Sequence, residues 1–481
     1  MNSSADVPQS GAPIPPPRRI FTNRNLRMES IEAIGFDMDH TLAVYNTDNF
    51  NRLCFDLALE RMISDLGYDP AIRSVRWDPD AVIRGLLVDK EHGNLLKVDA
   101  YSHVTRARHG FRFLDKDEIR VQYDRGDLRL APDRFRVFDT LFDMPEGCIY
   151  SGVLDLRARG VAAQDRSPRR IYDEIRRTVD TMHADGTLKA RIMADLGHFF
   201  IPDDDLVPTL RKFREAGKKL FLLTNSDADY TGAVMNFLVG GGAGSWEDLF
   251  DLVVVSARKP GFFLPGDEAR SLEAGELPLL PNRSGRAYSG GDCFFLERML
   301  GVGGDDILYF GDHTYGDILR SKKSVGWRTA MIVPEVEQEL TSLEPLREEY
   351  RELAAVEEEL DGLTVIKDQL ETEACPDGKT SGRVNEAIND ALGRRAGLQA
   401  ALRDASNPHW GSLFREGRAS SRLGRQAEEF ACIYTSRVSN FWNYPADKFF
   451  ARPSLVLPHE RWALHRSSVT TDDDAASAPG T

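Results

Sequence analysis

The chain has 481 residues, of which 41% are hydrophobic and 28% are charged, and its formal net charge is −15. These proportions are ordinary for a globular protein with a large core, and the length suggests about two to four structural units. The negative charge argues against a broad basic face for nucleic acid or an anionic membrane. It does not exclude a small anionic substrate, because a few local cations can oppose the overall field.

Cysteine usage and apolar runs bear on the compartment. The five cysteines lie far apart, at Cys54, Cys148, Cys293, Cys375 and Cys432. This sparse and odd set predicts reduced thiols in a cytoplasmic protein, rather than a disulfide framework or a zinc site. No apolar run approaches the ~20 residues of a membrane-spanning helix, and the N-terminus lacks the pattern of a signal peptide. We therefore expect neither secretion nor membrane insertion.

The N-terminal part of the chain begins with a Pro-rich segment, residues 1–20, that we predict to be disordered. The elements predicted after it are a buried strand at 31–36, a helix at 51–66, and a hairpin formed by 84–89 and 95–100. The strand at 31–36 runs directly into two acids, Asp37 and Asp39.

From residue 204 onwards, short apolar strands alternate with helices. The predicted elements are a helix at 206–216 and strands at 219–223, 252–256, 307–310 and 329–333. This alternation predicts an α/β protein with a parallel sheet that binds ligands at the carboxyl ends of its strands.

The C-terminal part of the chain has a different composition. Residues 342–405 are charge-dense and predict a helical hairpin. The aromatic-rich residues 406–465 are predicted to fold back onto the core, and residues 466–481 to be a disordered tail.

Four polar clusters each follow a predicted core strand. They contain Asp37 and Asp39, then Thr224, Asn225 and Ser226, then Lys259, and finally Asp312 and Asp317. Each cluster alone has an ordinary structural explanation as a turn acid, a helix N-cap or a surface lysine. Together they supply a carboxylate nucleophile, a second acid, a hydroxyl, a lysine and a metal-binding acid. Phosphoryl transfer through an aspartyl-phosphate requires this set of groups.

The four clusters resemble the four motifs of the haloacid dehalogenase (HAD) superfamily of phosphohydrolases. Longer stretches between about residues 20 and 460 resemble the cytosolic purine 5′-nucleotidase family. These stretches are GFDMDHTLAVY (35–45), RGL (84–86), GNLLKVD (93–99), YFGDH (309–313), SKK (321–323), GWRT (326–329) and GSLFR (411–415). The frequent use of Ala, Gly and Arg favours a bacterial member of that family.

The resemblance implies a role for each cluster. Asp37 would attack the substrate phosphorus, and Asp39 would protonate the leaving oxygen and then take a proton from the attacking water. Thr224 and Lys259 would bind phosphoryl oxygens, with Asn225 and Ser226 beside them. Asp37, the backbone carbonyl of Asp39 and Asp312 would hold Mg²⁺. Asp317 would position Lys259 or a metal-bound water.

The long separation of the first two clusters predicts an inserted unit. Asp37 and Thr224 lie 187 residues apart, several times the ~30 residues of a simple βαβ unit. We therefore predict a HAD-like Rossmannoid core formed by residues 21–104 and 186–341, with a substrate-specificity cap formed by residues 105–185. In the superfamily such a cap closes over the site and selects the leaving group.

Residues in or near this cap match the purine-contacting positions of the resembled family. They are Phe142 as a stacking ring, together with Arg176, Asp180, His183 and Lys189. Arg176, Asp180 and His183 are spaced so that they share one helix face, which alone would more often be a solvated face. Ala184 stands where the family has a tyrosine, which leaves the choice between hypoxanthine and guanine open.

Eukaryotic relatives carry a nucleotide effector site beyond the active site. Arg129, Tyr315, Lys323 and Gln426 match positions of that site, but Glu429 replaces a basic residue and Asp139 a neutral amide. Carboxylates near a polyphosphate are unfavourable, so we do not expect ATP-type activation.

The predicted function is a magnesium-dependent 5′-nucleotidase for purine nucleoside monophosphates, with IMP and GMP favoured and nucleoside phosphotransfer as a corollary. Two alternatives are a catalytically silent nucleotide-binding or scaffold protein and a phosphatase for a non-nucleotide ester. The family implies a homo-oligomer, a dimer or tetramer.

Overall fold

A computed structural model describes residues 13–123, 128, 131–240, 246–272, 286–372, 378–417 and 419–452. Cys375, Arg129 and the predicted tail at 466–481 lie outside these residues. Within the predicted disordered segment 1–20, Pro16–Arg18 form a 3-10 turn and Ile20 is buried. The four cysteines in the described residues are all buried and unpaired.

The strands are short and fall into two main sheets. In chain order they are β1 Phe21–Thr22, β2 Leu26–Arg27, β3 Ala33–Phe36, β4 Leu87–Asp89, β5 Asn94–Val98, β6 Val104–His109, β7 Arg112–Phe113, β8 Phe135–Val137, β9 Lys219–Leu223, β10 Leu252–Val255, β11 Ala269–Ser271, β12 Ala287–Gly290, β13 Ile307–Gly311, β14 Arg328–Ile332, β15 Arg415–Glu416, β16 Ala419–Ser420, β17 Ile433–Thr435 and β18 Phe449–Phe450.

The α-helices connect and flank these sheets. In chain order they are α1 Thr47–Ser64, α2 Lys116–Tyr123, α3 Met144–Ala158, α4 Pro168–Ala184, α5 Thr187–Ala194, α6 Leu196–Phe199, α7 Leu206–Glu215, α8 Ala228–Val239, α9 Cys293–Leu300, α10 Arg320–Val325, α11 Glu335–Leu343, α12 Arg347–Thr372, α13 Gly378–Asp404 and α14 Arg422–Phe430. Helix α1 begins four residues earlier than predicted, because the Asn46 side chain caps it by accepting from the Asn49 N–H at 3.3 Å.

Nine of the described strands form the central sheet, in the order β1-β17-β14-β13-β3-β9-β10-β12-β11. The seven inner strands are parallel, and only the edge strands β1 and β11 are antiparallel to their neighbours. All five predicted core strands are present to within two residues of the predicted ends. The predicted α/β class with a mostly parallel sheet is therefore confirmed.

Close packing of the central strands depends on a glycine in β3. A Cβ atom at Gly35 would lie 2.0 Å from the ring of Phe221, which comes from the neighbouring strand β9. A glycine thus lets the Phe221 ring cover β3 two residues before Asp37. This packing fixes the strand end from which the first acid projects.

The second sheet has five antiparallel strands in the order β7-β6-β5-β4-β8. The predicted hairpin is its β4–β5 pair, with Leu87 opposite Leu96 and Val88 opposite Leu95. Strand β6 continues the sheet, so the predicted domain boundary between residues 104 and 105 falls within one sheet. Helices α3 and α4, which follow, pack against each other and against α1.

The C-terminal part joins the core directly. Both helices predicted within 342–405 are present as α12 and α13, and they bury Val356, Leu360 and Ala391 between them. Strand β17 pairs with β14 in parallel inside the central sheet. Trp410 is fully buried and donates from its indole N–H to the carbonyl of Ala81 at 2.9 Å.

Candidate active site

The four polar clusters meet at one edge of the central sheet. They follow β3, β9, β10 and β13, which are parallel neighbours, so their carboxyl ends lie side by side. A cleft of about 510 Å³ opens there and extends to helix α4. The predicted residues that line the cleft are Asp37, Asp39, Phe142, Arg176, Asp180, His183, Lys189, Asn225, Ser226, Lys259, Asp312 and Asp317.

Lys259 joins two of the acids. Its Nζ lies 2.9 Å from Oδ1 of Asp37 and 2.7 Å from Oδ1 of Asp317. It also donates to the hydroxyl of Tyr309 at 2.9 Å. Burial by itself would lower the pKa of Lys259, but the carboxylates of Asp317 and Asp37 outweigh it and raise the pKa to about 12. Lys259 is therefore a fixed cation beside the predicted nucleophile.

The second cluster contributes more to the shape of the site than its sequence indicates. The Asn225 side chain accepts from the Lys259 backbone N–H at 2.6 Å and donates to the Lys259 carbonyl at 3.0 Å. Asn225 thus anchors the loop that carries the lysine. Thr224 is fully buried beside the cleft rather than on its wall, and its Oγ1 accepts from the Ser226 N–H at 3.1 Å.

The two acids of the first cluster have different partners. Asp37 faces Lys259, whereas Oδ1 of Asp39 accepts from the Tyr45 hydroxyl at 2.6 Å and Oδ2 accepts from the Ser226 hydroxyl at 2.8 Å. Burial raises the pKa of both carboxyl groups; the Lys259 charge opposes this at Asp37 and the two hydroxyl donors oppose it at Asp39. One acid is therefore set beside a cation and the other beside hydroxyl groups.

Three buried carboxyl groups form a candidate metal centre. One oxygen each of Asp37, Asp312 and Asp317 can be chosen so that all three lie within 4.8 Å of one another. Carboxylates this close repel each other, and hard oxygen ligands suit Mg²⁺. These residues therefore fit a divalent cation. The Asp39 carboxyl group accepts from two hydroxyl groups instead, so only its backbone carbonyl is expected to bind the metal.

Because the three carboxylates repel each other, we expect Asp312→Asn to change the stability of the metal-free protein in a pH-dependent way. Burial, with the Asp317 charge next, raises the pKa of Asp312 to about 8, whereas an unfolded aspartate has a pKa of about 4. The folded state therefore holds this proton more tightly, and stability is lost as pH rises between these two values. In EDTA at pH 8.5 we expect the melting temperature of Asp312→Asn to exceed that of the wild type by roughly 2–5 °C. At pH 5 this difference in melting temperature should be smaller, because Asp312 of the folded wild type is then protonated.

Differential scanning fluorimetry across this pH range measures the effect. Adding Mg²⁺ should reverse the order at pH 8.5, because only the wild type keeps the full carboxylate set. An Asp312→Asn protein that melts below the wild type in EDTA at every pH would contradict the prediction.

Phe142 is part of a cluster of aromatic rings beside the cleft. The Phe142 ring centre lies 4.5 Å from that of His40, 5.1 Å from Phe50 and 6.0 Å from His183. Phe142 is partly exposed to the cleft, so one face of this cluster is open to a planar ligand.

Arg176 forms ion pairs with three acids at the far end of the cleft. It donates to Glu146 at 2.7 Å, to Asp143 at 3.2 Å and to Asp180 at 3.1 Å. Asp180 is among the residues predicted from the sequence. Asp143, Glu146 and the nearby Arg136 are not, because no strand end or helix spacing marks them. Burial, followed by the charge of Asp143, raises the pKa of Glu146 to about 7.

His183 and Lys189 also line the far end of the cleft. Burial lowers the pKa of His183 and so favours its neutral ring. Lys189 forms an ion pair with Asp227, and its Nζ lies 5.5 Å from the ring centre of Tyr230. Ala184 also lines the cleft.

The described positions matched to an effector site have different surroundings. The Tyr315 hydroxyl accepts from Arg320 at 3.0 Å, and Lys323 lies 4.7 Å from the ring centre of Phe430. Among the described residues, the Gln426 side-chain oxygen is buried without a hydrogen-bond partner, Asp139 is half-buried, and Glu429 lies 3.7 Å from Arg425. The absence of ATP-type activation stays a prediction.

Comparison with known proteins identifies the class of enzyme and the protein family to which this chain belongs. The 5′ nucleotidase family matches residues 20–462. Over 471 residues the chain is 30% identical to a 5′-nucleotidase domain-containing protein of Dictyostelium discoideum, covering 94% of this chain and 77% of that protein. The parallel-sheet fold, the clustered acids and these matches define a phosphoric monoester hydrolase. The chain belongs to the 5′ nucleotidase family.

Two solved structures are also similar. An archaeal β-phosphoglucomutase from Pyrococcus sp. strain ST 04 is 13% identical with a TM-score of 0.30, covering 63% of this chain and 87% of that chain. The putative HAD-hydrolase YfnB from Bacillus subtilis, bound to magnesium, is 13% identical with a TM-score of 0.24, covering 63% and 90%. No helix within the described residues is long and apolar enough to cross a bilayer.

Proposed function

We propose that this protein is a magnesium-dependent 5′-nucleotidase that hydrolyses purine nucleoside 5′-monophosphates, with IMP and GMP favoured. One observation supports this proposal above the others. A single cleft joins Asp37 and Lys259 at one end to Phe142, Arg176 and Asp180 at the other. A phosphate at the first end would place its purine ring beside the aromatic and charged groups of the second.

The chain's own residues account for the two half-reactions. In the first, an Asp37 carboxylate oxygen bonds to phosphorus as the bond to the nucleoside 5′-oxygen breaks, and Asp39 gives its proton to that oxygen. In the second, Asp39 takes a proton from water as the water oxygen attacks phosphorus and the aspartyl-phosphate bond breaks. Lys259 holds the phosphoryl oxygens. Thr224 and Asn225 hold the loops that carry Ser226 and Lys259.

Mg²⁺ would be held by Asp37, the backbone carbonyl of Asp39 and Asp312, with Asp317 in the surrounding shell. When bound, the ion offsets negative charge on the phosphate and the nucleophile. Asp317 also fixes Lys259 through their ion pair at 2.7 Å, so that Lys259 stays between the two acids.

Residues 105–185 act as the cap, together with the β4–β5 hairpin of the same sheet. Helix α4 brings Arg176, Asp180 and His183 to the cleft, and the loop before α3 brings Phe142. An arginine and an aspartate can match the acceptor and donor edge of a 6-oxopurine, while the phenylalanine stacks on its face. Closure over the substrate would exclude water during the first half-reaction.

Interception of the aspartyl-phosphate by a second nucleoside would produce a nucleotide, so nucleoside phosphotransfer accompanies hydrolysis in this proposal. The protein acts in the cytoplasm and forms a homo-oligomer. Sedimentation velocity measures the oligomeric state, and a monomer at all concentrations would overturn that part.

The proposal is tested by phosphate release from IMP, GMP, AMP, CMP, glucose 6-phosphate and p-nitrophenyl phosphate, with Mg²⁺ and with EDTA. We expect kcat/KM for IMP and GMP to exceed that for CMP and glucose 6-phosphate by roughly tenfold or more, and EDTA to abolish release. Equal rates on sugar phosphates and IMP would favour a phosphatase for non-nucleotide esters. No release from any compound would favour a catalytically silent binding protein.

Removal of Arg176 should affect base recognition rather than chemistry. In Arg176→Ala we expect KM for IMP to rise by roughly tenfold or more, with KM for p-nitrophenyl phosphate nearly unchanged, because the smaller ester lacks a purine. Arg177→Ala is the matched control, since Arg177 is exposed on the same helix and does not line the cleft. Parallel losses on both substrates in Arg176→Ala would contradict a role in base recognition.

A further inference from the structure

The Asp39 carboxyl group is held on both of its oxygens by hydroxyl groups of other residues. Tyr45 donates to Oδ1 at 2.6 Å and Ser226 donates to Oδ2 at 2.8 Å. Both donors are buried, with Tyr45 5% and Ser226 8% exposed. Rotation of the carboxyl group would break both bonds and leave two buried hydroxyl groups without their acceptor. The two bonds therefore define its orientation.

The Tyr45 hydroxyl is itself held in place. It lies 2.9 Å from the hydroxyl of Tyr230 on helix α8. Because the single proton of Tyr45 is used on Asp39, Tyr230 is the donor in this second bond. The Tyr45 ring is packed against His40 and Phe200, with ring centres 4.4 and 4.5 Å away. A directed chain thus runs from Tyr230 through Tyr45 to Asp39.

This chain separates the two acids of the Asp-x-Asp cluster. Asp37 is drawn to Lys259 at 2.9 Å, whereas Asp39 is drawn to Tyr45 and Ser226. A free Asp39 carboxyl group could turn towards any nearby donor or cation, and small errors in the position of a proton donor cost a large part of its effect. The hydroxyl groups remove that freedom.

We propose that Tyr45, fixed by Tyr230, is a positioning residue that aims the Asp39 carboxyl group at the leaving-group oxygen, with Ser226 as the second anchor. This inference rests on the proposed function, in which Asp39 transfers the proton. Tyr45 gives no proton to the substrate, since its own proton stays on Asp39. Its contribution should therefore depend on how much the leaving group needs a proton.

The experiment compares Tyr45→Phe with the wild type on IMP and on p-nitrophenyl phosphate. The parameter kcat/KM reports the step in which the leaving group departs, even when aspartyl-phosphate hydrolysis limits kcat. For IMP we expect kcat/KM to fall by roughly tenfold or more, whereas for p-nitrophenyl phosphate, whose leaving group needs no proton, it should change by less than about threefold. Tyr230→Phe should give the same pattern with a smaller loss.

Tyr68→Phe is the matched control. It also removes a buried tyrosine hydroxyl that donates to a carboxylate, that of Glu174, at 2.7 Å, and neither residue lines the cleft. Tyr68→Phe should leave kcat/KM unchanged for both substrates. Equal losses on IMP and p-nitrophenyl phosphate in Tyr45→Phe, or no loss on either, would overturn the positioning role while leaving an active wild type. A wild type that releases no phosphate would instead overturn the proposed function, and this inference with it.

Discussion

Asp37→Asn should abolish phosphate release from IMP, with kcat reduced by a factor on the order of 10⁴ or more. An amide oxygen is a poor nucleophile. Asp317, the other buried acid that pairs with Lys259, has both oxygens engaged, one by the lysine at 2.7 Å and the other by the His313 N–H at 3.2 Å. The substitution keeps the size of the side chain. Lys259 also keeps its bonds to Asp317 and Tyr309, so the fold should survive.

Steady-state phosphate release and calorimetric binding of IMP together test this prediction. Binding should persist while turnover is lost, since the cap residues are untouched. Asp306→Asn is a suitable control, because Asp306 is exposed just before the amino end of β13, away from the cleft. Turnover by Asp37→Asn above about one per cent of the wild-type rate would rule out Asp37 as the nucleophile.

Asp39→Asn should have the second-largest effect, and the effect should depend on the substrate. We expect kcat for IMP to fall by about 10²–10⁴-fold, the range typical of general acid–base groups. With p-nitrophenyl phosphate the first half-reaction needs no acid, whereas hydrolysis of the aspartyl-phosphate still needs a base. The variant should therefore release a rapid burst of nitrophenolate, approaching one per chain, followed by slow turnover.

Stopped-flow absorbance measures this burst. The asparagine side chain can accept from Tyr45 and donate to Ser226, so the packing around residue 39 should be preserved. The melting temperature of Asp39→Asn should therefore stay close to that of the wild type. Equal losses on both substrates without a burst would contradict the assignment of Asp39 as the acid and base.

Much of the candidate site was predictable because it is encoded locally. Each core strand is a short apolar run, and the residues after it must emerge at the carboxyl edge of a parallel sheet. Asp37, Lys259 and Asp312 could therefore be assigned to one place before any contact was known. The same reasoning could not find Asp143 and Glu146, which lie at the start of α3 in a segment without strand or helix-face periodicity.

Some predicted residues occupy the expected place with partners that spacing could not indicate. Thr224 follows β9 as predicted, yet its side chain is buried beside the cleft and bonded to its own loop. Asn225 also follows β9, yet its amide is bonded to the backbone of Lys259, 34 residues away. Short-range patterns determine which residues follow the end of a strand. The hydrogen-bond partners of those residues depend on which loops the folded sheet brings together.

From local sequence patterns we could predict the parallel α/β core and the strand ends that carry the acids and the lysine, and recognise the family resemblance. Three features became visible only in the folded chain. A five-stranded antiparallel sheet crosses the predicted cap boundary, β17 pairs within the core sheet, and Tyr45 contacts Tyr230, 185 residues away, to hold Asp39. Helices and strands can be predicted from periodicity and apolar runs, which involve only residues that are close in sequence. Contacts between distant segments follow from packing, which takes effect only when the whole core is assembled.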